Sequence, residues 1–317
     1  MDSKNIFISS QTYLSKVTWR REENSDSEWI YLGDNIYGDT KYMTTLANQY
    51  YKLCNKSEFQ NLITSTRVIA TWDDHDYGFN DADKSYPLKE TSREVFKKFW
   101  TNPSYGQNNQ GIYSKFTFND ADVFLLDDRW WRGNDEMQDS INGKPNPNKK
   151  MYGAAQLDWL KNALLQSNAN QNITFRFIAT GSQVLNPVSP FDCFRKFSAE
   201  YNDLMSFLKE NKINGVVFLT GDRHHSEIIK VDREGTYPLI DITASPLTSG
   251  SHKFGGVEKN NPYRLVGVED MQNYTKITLK GLKKERILQV EIFNPKGEKQ
   301  ANWEISLKEL STPKAKD

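Results

Sequence analysis

Histidine is scarce in this chain, four in 317 residues, and cysteine is scarcer, at two. Cys54 and Cys193 stand far apart, so they allow at most one disulfide and equally allow two buried thiols. Charge of one sign is not in excess, because 41 Lys and Arg balance 41 Asp and Glu. Without a global basic field, nucleic acid is a poor partner. No apolar run approaches the roughly 18 residues that a membrane-spanning helix needs, so no span is expected. The opening residues, Met1-Asp2-Ser3-Lys4-Asn5, lack the apolar stretch of a signal peptide. The expectation is that the protein stays inside or that a signal has been removed, and the compartment is left open.

Against these absences, hydrophobic residues make up 37% and aromatics 13%, enough for a substantial core. Three apolar runs each end in acidic, aromatic and histidine residues. They are Trp29-Ile-Tyr-Leu-Gly-Asp34-Asn35-Ile-Tyr37, Val68-Ile-Ala-Thr-Trp-Asp73-Asp74-His75-Asp76 and Val216-Val-Phe-Leu-Thr-Gly-Asp222-Arg223-His224-His225. A short apolar run that ends in ligand-type residues is how a buried strand delivers polar groups to one sheet edge. Three of the four histidines lie in these segments, which points to one metal site assembled at strand ends.

The pattern predicts further strands at 6–10, 111–119, 123–126, 175–179, 239–243, 275–279 and 287–293. Helices are predicted from Met43 to Phe59 and over 91–100, 154–166 and 199–211; 133–150 reads as a surface loop, and Lys308, Lys314 and Lys316 as part of a solvated tail. Strands that alternate with helices imply a layered α/β fold.

Within the three clusters, Asp34 can bridge two ions and Tyr37, three residues on, can reach the same ion as a phenolate, which favours a hard ion such as Fe³⁺. A turn Asp and a packed Tyr are the alternative. Asp73 to Asp76, with Asn80-Asp81 behind, would repel one another unless cations offset the charge, although an Asp-Asp pair can also cap a helix. Asp222 and His224 alternate at a strand end and so share a face, with Arg223 or His225 directed elsewhere. Glu227 could orient a ligating histidine. Arg129, in Asp127-Asp128-Arg129-Trp130-Trp131-Arg132, fits phosphate oxygens or else pairs with a neighbouring Asp. Gln183 could complete the site, and Asn35, Asp73 and His225 are further candidates; His252 reads as merely exposed.

The chain resembles the PhoD-type alkaline phosphatases, a branch of the calcineurin-like metallophosphoesterases. The resemblance rests on Leu32-Gly-Asp34-Asn-Ile-Tyr37, Trp72-Asp-Asp-His75-Asp-Tyr-Gly78, Leu126-Asp-Asp-Arg129, Gly181-Ser-Gln183 and Gly221-Asp-Arg-His224, over roughly residues 29–250. It implies one α/β domain over 1–317: a sandwich of two mixed sheets flanked by helices, with metals at one sheet edge. Strands in 236–306 would complete the second sheet, and 307–317 would be a tail. It implies Fe³⁺ with one or two Ca²⁺, other divalent ions being alternatives. Asp34 would bridge, Tyr37 would bind iron, and Asp74, Asp222 and His224 would be ligands. His75 would face the substrate as proton donor, and Arg129 or Arg223 would brace the phosphate. The expected activity is phosphomonoester hydrolysis, with diester hydrolysis as its nearest rival. The expected partner is a small phosphate ester, the oligomeric state is open, and family members are usually exported. The family's first-strand Gly-Ser-Cys, whose cysteine binds iron, is here Ile8-Ser9-Ser10-Gln11. Ser10 or Gln11 would have to substitute, and a metal-binding relative without catalysis is the alternative reading.

Overall fold

The computed structural model describes residues 4–12 and 27–313; Met1 to Ser3 and the tail lysines Lys314 and Lys316 lie outside the described residues. Strands β1 (Asn5–Ser9), β2 (Ser27–Leu32), β3 (Arg67–Thr71), β4 (Ser114–Phe118) and β5 (Ala121–Leu125) come from the first part of the chain. A small hairpin follows, β6 (Ser140–Ile141) and β7 (Lys144–Pro145), within the expected loop. Then come β8 (Phe175–Ala179), β9 (Val216–Thr220), β10 (Ser226–Val231), β11 (Leu239–Thr243), β12 (Arg264–Val268), β13 (Tyr274–Lys280), β14 (Ile287–Phe293) and β15 (Lys299–Ser306). The helices are α1 (Met43–Cys54), α2 (Ser57–Ser65), α3 (Asp74–Tyr77), α4 (Lys89–Phe99), α5 (Gly153–Ala169) and α6 (Ser198–Glu210).

Two mixed sheets form the α/β sandwich. One has the order β15-β14-β13-β1-β2-β3, the other β12-β10-β11-β9-β8-β5-β4. In the first, β1, β2 and β3 run parallel. In the second, β5, β8, β9 and β11 run parallel. Those four strands are buried at every position, as parallel strands covered on both faces are, and they are mostly apolar for that reason, with Asp122, Arg176 and Asp241 as buried exceptions.

Side chains on β2 alternate between two cores. Ile30 and Leu32 enter the interior between the sheets with Ile6, Val123, Phe177 and Val217. Trp29 and Tyr31 face outward into an aromatic cluster with Leu46, Tyr50, Phe59, Phe96 and Trp100, beneath α1, α2 and α4. Because the parallel strands share a direction, their C-terminal ends gather at one edge, where each run gives way to polar residues.

Several boundaries differ from the sequence reading. The helix expected through Phe59 is two helices, α1 and α2, separated at Asn55-Lys56. The expected 236–306 strands divide between the sheets: β11 and β12 join the second, and β13 to β15 extend the first. The segment after 307 is docked through Thr312, since the Leu310 carbonyl accepts from Gly215 N at 2.7 Å and Thr312 N donates to Asn214 Oδ1 at 2.8 Å. Lys308 is exposed as expected. Both cysteines are free thiols, Cys193 buried and Cys54 half-buried. Among the described residues, no helix is long and apolar enough to cross a membrane.

Candidate metal centre

Two of the three strand ends, those of β2 and β9, bend sharply to present their polar residues. After β2, Gly33 takes φ +83° and Asp34 follows in the left-handed region at φ 49°. A Cβ on Gly33 would lie 2.6 Å from the Asp73 Cβ, so glycine is required for the two ends to approach. After β9, Asp222 (φ 67°) and His224 (φ 55°) are both left-handed. Strained non-glycine backbone at such positions is characteristic of functional turns.

These bends bring the carboxylates together. Asp34, Asp74 and His75 offer ligand atoms all within 4.8 Å of one another, and so do Asp34, Asp73 and Asp222. Asp34 is common to both groups. It is buried, and its Oδ1 has no hydrogen-bond partner. Burial holds its pKa well above the usual carboxylate value, and Asp74, Asp73, Asp222 and Asp76 raise it further. Asp222 is pushed up to about 7, chiefly by burial. Buried acids that repel one another around an unpartnered oxygen form a donor set suited to hard cations.

Tyr37 packs on His75, ring centroids 4.4 Å apart. Burial, then the charge of Asp34, raises its phenol pKa, so ionisation there requires a nearby cation. His224 Nδ1 lies 2.5 Å from the Gly250 carbonyl, and burial keeps its pKa below the ordinary histidine value. A neutral imidazole held through one nitrogen suits metal ligation through the other.

The Asp73–Asp76 run carries two roles. Asp73 Oδ1 caps α3 by accepting from Asp74 N at 3.0 Å, and Asp76 Oδ2 accepts from Asp73 N at 3.2 Å. Asp76 also accepts from Tyr50 Oη at 2.8 Å and from Asn35 N at 3.1 Å, and burial lifts its pKa to about 7. Asp76 and Asn35 thus brace the turn; Asn35 Nδ2 donates to the Thr71 carbonyl at 2.8 Å. Asp74 accepts from Asp81 N at 2.7 Å. Burial opposes its ionisation, but Arg129, His75 and that hydrogen bond outweigh burial and lower its pKa.

Asp34, Asp74, His75, Arg129, Asp222, Arg223, His224 and His225 line one cavity of about 590 Å³. That Arg223 and His225 do so departs from the expected alternation, because β9 ends at Thr220 and the following residues turn. His225 is buried, with Nε2 3.6 Å from Glu227 Oε1 and its ring 4.4 Å from that of Phe254. Glu227 therefore faces His225 and Arg264, at 2.7 Å, whereas the His224 nitrogen meets a backbone carbonyl. Gln183 lies below the cavity floor, donating to Glu227 at 2.8 Å and Thr243 at 2.9 Å. Arg129 is 1% exposed and engaged by Asp73 and by Asp192 at 3.1 Å. Its charge is largely offset by those carboxylates, and Nη1 alone of its nitrogens lacks a hydrogen bond or ion pair. Arg223 pairs with Glu258 at 2.7 Å.

At the end of β1, Ser10 Oγ donates to the Ala244 carbonyl at 2.9 Å. Gln11 Nε2 donates to the Asp222 carbonyl, while its Oε1 accepts from His224 N at 3.1 Å and Ser245 Oγ at 2.6 Å. Gln11 is committed to holding the Asp222–His224 turn, and Ser10 to the end of β11 at Ala244. Sequence reasoning missed Asp39, Asp192 and Glu258, which carry no motif, and it took His252 as merely exposed. His252 is exposed, but its ring stacks on that of His224 at 4.6 Å and lines the same cavity.

The whole-chain fold is similar to a solved structure described as "Structure of PhoD", with TM-score 0.71 and 18% identity over 95% of this chain and 72% of that one. It is also similar to GAP50, the anchor in the inner membrane complex of Plasmodium, with TM-score 0.59 and 13% identity over 99% of this chain and 90% of that one. In sequence, the chain is 27% identical to alkaline phosphatase D of Bacillus subtilis (strain 168) over 247 residues. That match spans 67% of this chain but 42% of the relative, so the chain covers less than half the length of that protein. The family model for PhoD-like phosphatases matches residues 13–286, most of the sequence, and the chain belongs to the PhoD-like phosphatase family.

Proposed function

We propose that the protein is a metal-dependent phosphoester hydrolase acting on small phosphate esters, with Asp34 as the shared ligand of its metals. The observation that carries this reading is the membership of Asp34 in both ligand groups, each with its atoms within 4.8 Å. Asp74, Asp222, His224 and Tyr37 complete the donor set. Its phenol and carboxylate oxygens favour Fe³⁺ beside one or two Ca²⁺, with other divalent ions as competitors. Ions held there supply charge to polarise phosphoryl oxygens and acidify water.

The remaining steps belong to the chain. His75 lies within one of the two ligand groups by distance, but we assign it the proton and not the metal: its Nδ1 is 2.7 Å from Asp39 Oδ1, and it delivers a proton to the leaving oxygen. Arg223, steadied by Glu258, lines the same cavity and contacts the phosphate. Arg129 fixes Asp73 and the loop carrying Asp192, acting as a positioning residue.

Two readings compete. The same ligands serve diester hydrolysis, and the commitment of Ser10 to the Ala244 carbonyl and of Gln11 to the Asp222–His224 turn, away from metal ligation, favours a metal-binding protein with impaired catalysis. Chromogenic mono- and diesters assayed with added iron and Ca²⁺, before and after chelation, separate them. Chelator-sensitive turnover supports the hydrolase and the preferred ester sets its class; bound metal without turnover refutes it.

A further inference from the structure

Part of the cavity lining is apolar where most of the rest is charged or polar. Phe191 and Val257 belong to it, yet they are 64% and 66% exposed. Isolated exposed apolar residues need no explanation. These two come from different loops and converge on the cavity that holds Asp34, Asp74 and Asp222. Phe191 follows Pro190 and precedes Asp192, which is tied to Arg132 at 2.6 Å and Arg129 at 3.1 Å. Val257 lies in the helical turn Gly256–Asn260, next to Glu258.

Arg223 joins the two loops. Its guanidinium carbon lies 4.8 Å from the Phe191 ring centroid, and its Nη2 is 2.7 Å from Glu258 Oε2. Arg223 is itself part of the Asp222–His224 turn, so Phe191 directly, and the helical turn that carries Val257 through its neighbour Glu258, are tied to the candidate metal centre by one buried residue. The charges that flank the two apolar residues are already engaged, Arg223 with Glu258 and Asp192 with two arginines.

We propose that Phe191 and Val257 bind the organic group of the phosphate ester, and that the group they select is aromatic. A flat ring can lie against the open part of Phe191, where offset stacking adds to the burial of apolar surface, while Val257 closes the other side. This inference rests on the phosphoesterase reading, and it names the substrate class of that site.

Calorimetric titration of the metal-loaded protein with phenylphosphonate and with methylphosphonate tests it without hydrolysis. The wild type should bind phenylphosphonate about three- to tenfold more tightly. Phe191→Ala should bring the ratio of the two dissociation constants close to one, and Val257→Ala should reduce it less. Equal affinities in the wild type, a ratio unchanged in both variants, or no binding of either probe would overturn the inference. Ester turnover, measured separately, reports on the underlying reading. Turnover without discrimination between the phosphonates sinks the aromatic wall alone. Discrimination without turnover leaves the wall standing and sinks the hydrolase.

Discussion

His75 and Asp39 form a hydrogen-bonded pair, with Nδ1 2.7 Å from the Asp39 carboxylate. Burial alone would lower the imidazole pKa, but the Asp39 hydrogen bond and the charges of Asp74 and Asp39 outweigh it and raise the value. A proton donor must be protonated to act, so a raised pKa extends its working range to higher pH. Asp39→Asn removes the charge and should move the basic limb of the kcat profile to lower pH. An unchanged basic limb would show that His75 is not the titrating acid.

Replacing the donor itself separates catalysis from metal binding. His75→Ala should lower kcat by roughly 10²–10⁴ on esters with poor leaving groups, with metal retained. Good leaving groups need less protonation and should suffer less. Loss of metal would make His75 a ligand, and equal losses on both ester types would point to phosphate positioning.

Gly221 sits where the chain after β9 closely approaches the ends of β1 and β2 at the site edge. A Cβ there would lie 2.4 Å from the Leu32 carbonyl and 2.6 Å from Ser10 Cβ, both on the opposite sheet. Leu32 belongs to a buried strand and cannot give way without moving the neighbouring Asp34. Gly221→Ala should therefore destabilise the fold by about 1–3 kcal/mol and weaken metal affinity. Denaturant midpoints and metal titration check this, and wild-type values for both would contradict it.

Asp241, wholly buried on β11, provides a pH-dependent contribution to stability. Burial pushes its pKa up to about 6, against hydrogen bonds from Leu185 N, Thr220 Oγ1 and Val184 N. An unfolded aspartate titrates near about 3.9, so the folded state binds this proton more tightly. The contribution is full below about pH 4 and is lost as pH rises through about 6, a change on the order of 3 kcal/mol. Asp241→Asn keeps one oxygen for the two amide donors and should gain on the wild type over that interval. Urea midpoints across about pH 4–7 measure the difference, and a constant offset would contradict the assignment.

The strands that carry the site were legible because doubly covered parallel strands are largely apolar, and the polar residue that ends each run is conspicuous. That logic located Asp34, Asp74, Asp222 and His224 at one edge. It could not divide the Asp73–Asp76 run into ligand and cap, since the same side chain serves either role and the choice depends on Tyr50, Asn35 and Arg129 from elsewhere in the chain. The alternation expected after Thr220 failed because the chain there turns through positive φ at Asp222 and His224. Asp39, Asp192, Glu258, Phe191 and Val257 sit on loops whose placement is set by long-range contacts, with no local pattern to betray them. β12 and β15 fell within the strands expected over 236–306 but were not placed individually, because most of their residues are exposed or half-buried.

Elemental analysis of the purified protein beside an Asp34→Ala variant tests the central claim most directly. Asp34 belongs to both ligand groups, so the wild type should carry at least two metal equivalents, and the variant should lose more than one along with its esterase activity. A wild-type protein that turns over esters with no bound metal, or an Asp34→Ala variant that keeps the full metal complement, would contradict the account.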